Sequence, residues 1–325
     1  MKMISLIILF ISFNTLACTI FMQPETGMVA KNYDWSLAEG EMIVRPINAK
    51  KKALESNKNW ISLYGSVTFN QYGPDLPAGG MNTEGLMIEA LILGGTKYRS
   101  LYATELIDSI NESEFIQYNL DLYKTVDEVV ANADKFNLKK TYVPIHYFTC
   151  DSSKKCAVIE YINGETIIHT DASLELPILT NMSYAKTLRN YNQDAPQTSE
   201  AFSSYFRFKK LADFPLADFS KHSMLKKLNS VKVTGTTVWQ LLYSPQNKTI
   251  DLLHIFSSIP VSVNFKKLDF ECKATLNILS LKDKDQSFSH KDISLVLARR
   301  AKNLKELSAA TLQALSERKL ANDCL

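Results

Sequence analysis

Apolar and polar positions alternate in short blocks through most of the chain, and the exceptions stand at its two ends. At the start, ISLIILFISF at residues 4–13 is uncharged and apolar but for Ser5 and Ser12. Behind it, CTIFM and GMVAKN read as two short strands joined by a turn at QPETG, and EMIVRP and WISLYGSVTF read as further strands. GLMIEALIL, residues 85–93, is rich in β-forming side chains and reads as a buried strand. The spacing turns helical from 102 to 136, where Thr125 stands three residues before Glu128 as in a capping box. Strands return at HYFTC, CAVIEY and ETIIHT. Helices are expected at 183–192, 199–213 and 221–229, and TVWQLLYSPQNKTIDLLHIF reads as a hairpin around SPQNK. From 289 on, Ile293, Leu297, Ala301, Leu304, Leu312 and Leu315 recur near helical spacing without Gly or Pro, which predicts one long amphipathic helix. Strands and helices in separate blocks predict a layered α+β fold.

The opening apolar run is too short to span a bilayer, which takes about 20 residues. Lys2 precedes it, and Thr15 and Ala17 occupy the small positions read by signal peptidase. A secretory leader over 1–17, cleaved after Ala17, is therefore expected. No second stretch suits a membrane anchor, so the mature protein is expected to be soluble and exported, periplasmic or secreted. A lipid anchor on Cys18 would want Leu and a small residue where the chain has Thr15 and Leu16.

Composition adds little. With 46% hydrophobic and 22% charged residues the chain is ordinary for a globular protein, and a net charge of +3 gives no reason to expect nucleic acid. The run Lys50-Lys51-Lys52 reads as a solvated loop. The cysteines say more, because an exported chain meets an oxidising compartment. Of five, Cys150 and Cys156 flank the polar turn DSSKK between two strands and should face each other. Cys272 and Cys324 form the second expected pair, and Cys18 is left over.

Several chemistries lack their motifs. The chain has no G-x-S-x-G elbow, no H-E-x-x-H and no P-loop, and its five histidines are scattered away from metal-ligand spacing. His146, four residues before Cys150, reads as a structural or surface residue. An N-terminal cysteine needs none of these partners. Cleavage after Ala17 gives Cys18 a free α-amine, pKa about 7.7–8.0, beside a thiol near 8.5. Base and nucleophile then reside on one residue.

The segment CTIFM…GMVAKNYDW resembles the start of the choloylglycine hydrolase family, cysteine N-terminal nucleophile hydrolases that include penicillin V acylases and bile salt hydrolases. GGMNTEGLMIEAL resembles the family's D-G-M-N-E-K-G-L segment, PILTNMSY its V-L-T-N-S-P and FRFKK its S-R-F-x-R. TVWQLLYSPQNKTIDL and VNFKKLDF resemble its closing hairpin and end. These motifs run in order from 18 to about 270. The resemblance implies a four-layer αββα N-terminal nucleophile hydrolase domain over 18–275, followed by a helical extension over 276–325. It implies that Asp34 orients the amine and thiol, that the Asn181 side chain and the Ile92 N–H bind the oxyanion, and that Arg207 is the active-site arginine. Two positions depart from the pattern. Lys31 replaces the usual arginine, keeping charge but losing the planar fork. Ile92 stands where relatives carry asparagine, tyrosine or tryptophan, so it is expected to offer apolar contact to an acyl group.

The expected protein is thus an exported cysteine amidohydrolase acting on a small-molecule linear amide, with Cys18, Asp34, Asn181, Arg207 and Lys31 in the site. No metal, cofactor, nucleic acid or membrane anchor is called for, and the resemblance allows a homo-oligomer. Acyl amides such as penicillin V or N-acyl-homoserine lactones are expected over conjugated bile salts. The rival reading is a catalytically inactive binding protein or lipoprotein of the same fold.

Overall fold

Two antiparallel sheets lie face to face, with helices on both outer surfaces. The computed structural model describes residues 17–35, 38, 40–71, 75–140, 143–196, 203–255, 260–272, 277–280 and 323–324. Along the chain come β1 (Thr19–Met22), β2 (Val29–Asp34), β3 (Glu41–Arg45), β4 (Ala49–Lys52), β5 (Asn59–Ile61), β6 (Ser66–Asn70), β7 (Pro77–Asn82) and β8 (Met87–Ile92). A helical block follows: α1 (Ala103–Leu106), β9 (Ile110–Asn111), α2 (Glu112–Leu122), α3 (Val126–Ala133) and β10 (Leu138–Lys139). Then come β11 (Ile145–Cys150), β12 (Cys156–Ile162), β13 (Glu165–Thr170), β14 (Ile178–Leu179), α4 (Tyr184–Asn192), α5 (Ser204–Ala212) and α6 (Lys221–Asn229). The last elements are β15 (Thr237–Ser244), β16 (Thr249–His254), β17 (Val261–Asn264), β18 (Asn277–Ser280) and β19 (Asp323–Cys324).

One sheet has the order β14-β1-β2-β15-β16-β17 and the other β13-β12-β11-β8-β7-β6-β3-β18. Strand alternation sorts their side chains. On β2, Val29, Lys31 and Tyr33 face the second sheet, and Tyr33 stacks on Trp239 at 4.0 Å. Ala30 and Asn32 face outward, where the Asn32 side chain donates to Leu228 O at the end of α6. On the second sheet, Met87, Leu91, Phe148 and Val158 join the core between the sheets. Ile88, Tyr147 and Ile159 pack outward with Phe115, Ile116, Val126 and Val129 of α2 and α3. The layers run helix, sheet, sheet, helix.

The resemblance motifs have local jobs. Asn82 closes the β7–β8 hairpin: its Oδ1 accepts from Glu84 N–H and Leu86 N–H, and its Nδ2 donates to Leu120 O and Tyr123 O. Gly85 in that turn has φ +89°, a left-handed conformation open to glycine. The expected capping box forms at α3, where Thr125 Oγ1 accepts from Glu128 N–H and Glu128 Oε2 accepts from Thr125 N–H.

The structure differs from the sequence reading in several places. Lys50-Lys51-Lys52 is strand β4, not a loop; it pairs β5 and β19 and keeps Lys50 and Lys52 exposed. WISLYGSVTF divides into β5 and β6 in separate sheets. Leu63 N–H and Tyr64 N–H leave the strand to donate to Asp121 O, and Gly65 makes room for the Phe270 ring. His146 is fully buried, with Nδ1 at 2.8 Å from Glu160. The two described pieces of 276–325 are strands, β18 against β3 and β19 against β4. The leader at 1–16 and the long helix expected from 289 lie outside the described residues. Among the described residues no helix is long and apolar enough to cross a membrane.

Both expected disulfides are present. Cys150 and Cys156 are directly opposed in the β11–β12 ladder, with Cα atoms 4.1 Å apart. Cys272–Cys324, with Cα atoms 5.7 Å apart, ties β19 to the end of the sandwich across 52 residues of sequence. Cys18 is free and buried. Replacing Cys272 and Cys324 together by serine should lower stability by about 2–4 kcal/mol. Urea denaturation of the oxidised parent and the double variant checks this; equal midpoints would contradict it.

Candidate active site

β1 and β15 begin, and β2 ends, at the same end of the six-stranded sheet, and expected residues gather there. Cys18 stands immediately before β1. Asp34 is the last residue of β2, and Thr237 is the first of β15 and pairs with Asp34. A register shift between Thr237 and Trp239 turns the Thr237 hydroxyl toward Asp34. There it donates to Asp34 Oδ1, while Oδ2 is buried with no hydrogen-bond partner. The Cys18 thiol donates to the Asp34 backbone carbonyl at 3.7 Å. Ala17, the residue before it, is also fully buried, and its carbonyl accepts from Thr19 Oγ1.

Arg207 enters from α5. Its guanidinium is fully buried, with Nε donating to Thr19 Oγ1 at 2.8 Å and Nη2 to Asn181 Oδ1 at 3.0 Å and Cys18 O at 3.5 Å. A guanidinium only donates, so it fixes which way the Asn181 amide points. Asn181 Nδ2 is thereby turned to the other side, where one hydrogen goes to Ile92 O at 2.9 Å. The second hydrogen has no acceptor among the described residues.

The same bond places β8. The β7–β8 register ends with Gly79 opposite Glu89. Leu93 N–H bonds Pro144 O beside β11, so ladder alternation turns the Ile92 N–H and C=O the other way, past the end of β7. Along this open edge Lys31 takes the Ala90 carbonyl at 3.0 Å and Asn181 takes the Ile92 carbonyl. The Ile92 side chain is half-buried and touches the apolar clusters on both faces of the sheet.

Lys31 is fully buried near Cys18, but its ammonium is engaged by Glu89 from the opposing sheet. Glu89 Oε1 also accepts from Tyr243 OH. The sequence reading named Lys31 and missed Glu89, Tyr243 and Thr237. The available signal was Glu89 itself, a lone acid inside the apolar run MIEALIL.

Burial dominates the protonation states. It pushes the Cys18 thiol up to about 11, against the opposing pull of Lys31, so the thiol is neutral at physiological pH unless a base takes its proton. Burial likewise raises the Asp34 carboxyl to about 7, opposed by the Thr237 hydrogen bond and the Arg207 and Lys31 charges. Arg207 is brought down to about 10 by burial and stays cationic. Among the described residues no three His, Cys, Asp or Glu side chains are placed to hold a metal ion.

The family model of linear amide C–N hydrolases, choloylglycine hydrolase family, matches residues 18–212. The chain belongs to the choloylglycine hydrolase family. It is 30% identical over 188 residues to a penicillin V acylase of Pectobacterium atrosepticum, a match covering 51% of this chain and 50% of that protein. The chain thus spans about half the length of that relative. In fold it is similar to the penicillin V acylase from Agrobacterium tumefaciens, with TM-score 0.66, 20% identity and 81% of this chain covering 90% of that one. A mutant conjugated bile acid hydrolase from Clostridium perfringens gives TM-score 0.68 at 15% identity, over 85% of this chain and 99% of that one. The αββα sandwich is the N-terminal nucleophile hydrolase architecture of these family relatives.

The raised Asp34 carboxyl yields a pH test in a chain that retains residue 17. Between the ordinary value of 3.8 and about 7, the folded chain holds a proton that the unfolded chain has released. Stability therefore falls as pH rises through that window. Asp34→Asn should match the parent at the acid end and become the more stable by up to about 4 kcal/mol above it. Thermal unfolding at both ends of the window checks this, and a gap independent of pH would contradict it.

Proposed function

We propose that the mature protein is an exported cysteine amidohydrolase that begins at Cys18 and cleaves linear, non-peptide amides through an acyl-thioester on that residue. The observation carrying this reading is the convergence of the Cys18 thiol with a buried, half-unpartnered Asp34 carboxylate, a locked Asn181 amide and the open β8 edge at Ile92. Asp34 Oδ2 lies buried without a donor. A free α-ammonium on Cys18 would supply one and favour the ionised carboxylate.

In this mechanism Sγ attacks the amide carbonyl carbon and the thiol proton passes to the α-amine of Cys18. The oxyanion accepts from the spare Asn181 Nδ2–H and the Ile92 N–H. As the intermediate collapses the C–N bond breaks, and the α-ammonium gives its proton to the leaving amine. Water, deprotonated by the same α-amine, then attacks the thioester. The acid leaves and the thiol is restored. Arg207 holds Asn181 and the Cys18 carbonyl in place throughout.

Removal of the leader is central to this scheme, because an acylated nitrogen cannot act as base. Ala17 is 0% exposed and Cys18 3%. An external peptidase therefore reaches their peptide bond before the domain closes over it, which accords with cleavage during export. For the substrate, the half-buried Ile92 side chain offers no hydrogen bond, and the likeness to a penicillin V acylase supports an apolar acyl group. Penicillin V or N-acyl-homoserine lactones are proposed over glycine- and taurine-conjugated bile salts.

The test is kcat/KM of the chain beginning at Cys18 on these three substrate sets, measured by release of free amine. The first two should be hydrolysed and the bile salts poorly. Asn181→Ala should lose about 100- to 1000-fold in kcat. Cys18→Ala, or a chain with residue 17 retained, should be inactive. Turnover by either would overturn the mechanism, and a preference for bile salts would overturn the substrate class.

A further inference from the structure

The Lys31–Glu89–Tyr243 cluster is buried between the two sheets and takes no part in the proton transfers above. Lys31 and Glu89 are 0% and 1% exposed, and they bridge β2 of one sheet to β8 of the other. Tyr243 of β15, fully buried, donates to the second oxygen of the same carboxylate. Room for the carboxylate is built in: a Cβ on Gly79 of β7 would run into it.

The register fixes where the ammonium lies. Lys31 pairs with Ile20 on β1, so Cys18, two residues earlier and on the same face, is its diagonal neighbour. Of its three N–H bonds one goes to Glu89 and one to Ala90 O, while the Tyr33 ring lies 5.2 Å from Nζ. The third N–H has no acceptor among the described residues. A lysine in this setting is a buried point charge, and leaving it without a counter-ion would be costly.

We propose that Glu89 is a positioning residue acting through Lys31: its carboxylate pairs with the ammonium and fixes it beside Cys18, so that a thiolate formed there faces a cation. The functional meaning rests on Cys18 as the nucleophile. Lysine at position 31 is then a two-residue device: an acid in the facing strand completes what a planar guanidinium would otherwise do alone. The ionisable groups around it are Tyr33, Asp34 and Cys18 on its own sheet, Tyr243 on β15, Glu89 on β8, and Arg207 from the helical layer.

The oxidised protein suits a direct measurement, because both disulfides are closed and Cys18 is the free cysteine. Thiolate ultraviolet absorbance is followed against pH in the chain beginning at Cys18, for the parent, Lys31→Met, Glu89→Gln and the double variant. Lys31→Met should move the thiol midpoint up by about one unit or more. Glu89→Gln should move it in the same direction, and the double variant no further than Lys31→Met alone. A Glu89→Gln midpoint that is unchanged or lower, or a double variant that adds the two shifts, would overturn the proposal. If Glu89→Gln does not fold, Tyr243→Phe removes one hydrogen bond from the carboxylate without emptying the interface and should give a smaller upward shift; no shift, or a downward one, would overturn the proposal. The readout uses no substrate, so failure of the acyl-transfer scheme and failure of this proposal are separately visible.

Discussion

A guanidinium buried to the last atom has to be met by acceptors on every side, and Arg207 is that guanidinium. Leaving such a charge unpaired inside the fold would cost several kcal/mol. Its partners include Thr19 and the Cys18 carbonyl at the start of β1, Asn181 after β14, and Ser204 of α5 itself. Satisfying one cation thus brings Cys18, Asn181 and the helical layer into a single arrangement. The orientation of the Asn181 amide follows from it, and through Ile92 O so does the approach of β8.

The rest of the site follows from how two sheets can meet around buried charge. The β7–β8 ladder stops at Gly79, which leaves the Ala90 and Ile92 carbonyls on an open edge. Side chains from the opposite sheet and from the β14–α4 segment take up both. The Ile92 N–H points the same way as its carbonyl, past the end of that ladder, where the proposed scheme places the oxyanion. The cost appears as displaced protonation equilibria: a thiol near 11 and a carboxyl near 7 hold their protons until a new charge arrives. In the proposed scheme the free amine of a processed Cys18 supplies that charge.

Much of this was legible from the chain. Cys18 and Asp34 fall on adjacent strands of an evident hairpin, and the β15–β16 hairpin and helices α4 to α6 appear at the expected places. Asn181 and Arg207 were readable through the resemblance, since in isolation they would pass for a cap and a surface charge. Glu89 was legible as a lone acid in an apolar run, but its role was not: alternation puts Met87, Glu89 and Leu91 on one face, and an acid in such a strand looks like a solvent-facing position. Only a second sheet on that face makes it a counter-ion for Lys31. Thr237 escaped notice because its role depends on a register shift that no local pattern encodes. The lysines of β4 read as loop because their pairing partners, β5 and β19, come from short segments, one of them near the end of the chain.

The most direct test of the account is the covalent state of Cys18 during turnover. The chain beginning at Cys18 is mixed with penicillin V, quenched in acid within the first turnovers, and its intact mass and N-terminal peptide are measured. The account predicts a phenoxyacetyl adduct confined to the Cys18 peptide and removed by hydroxylamine, as a thioester requires. Release of product by a chain whose Cys18 stays unmodified at every quench time, or an adduct on another residue, would contradict it.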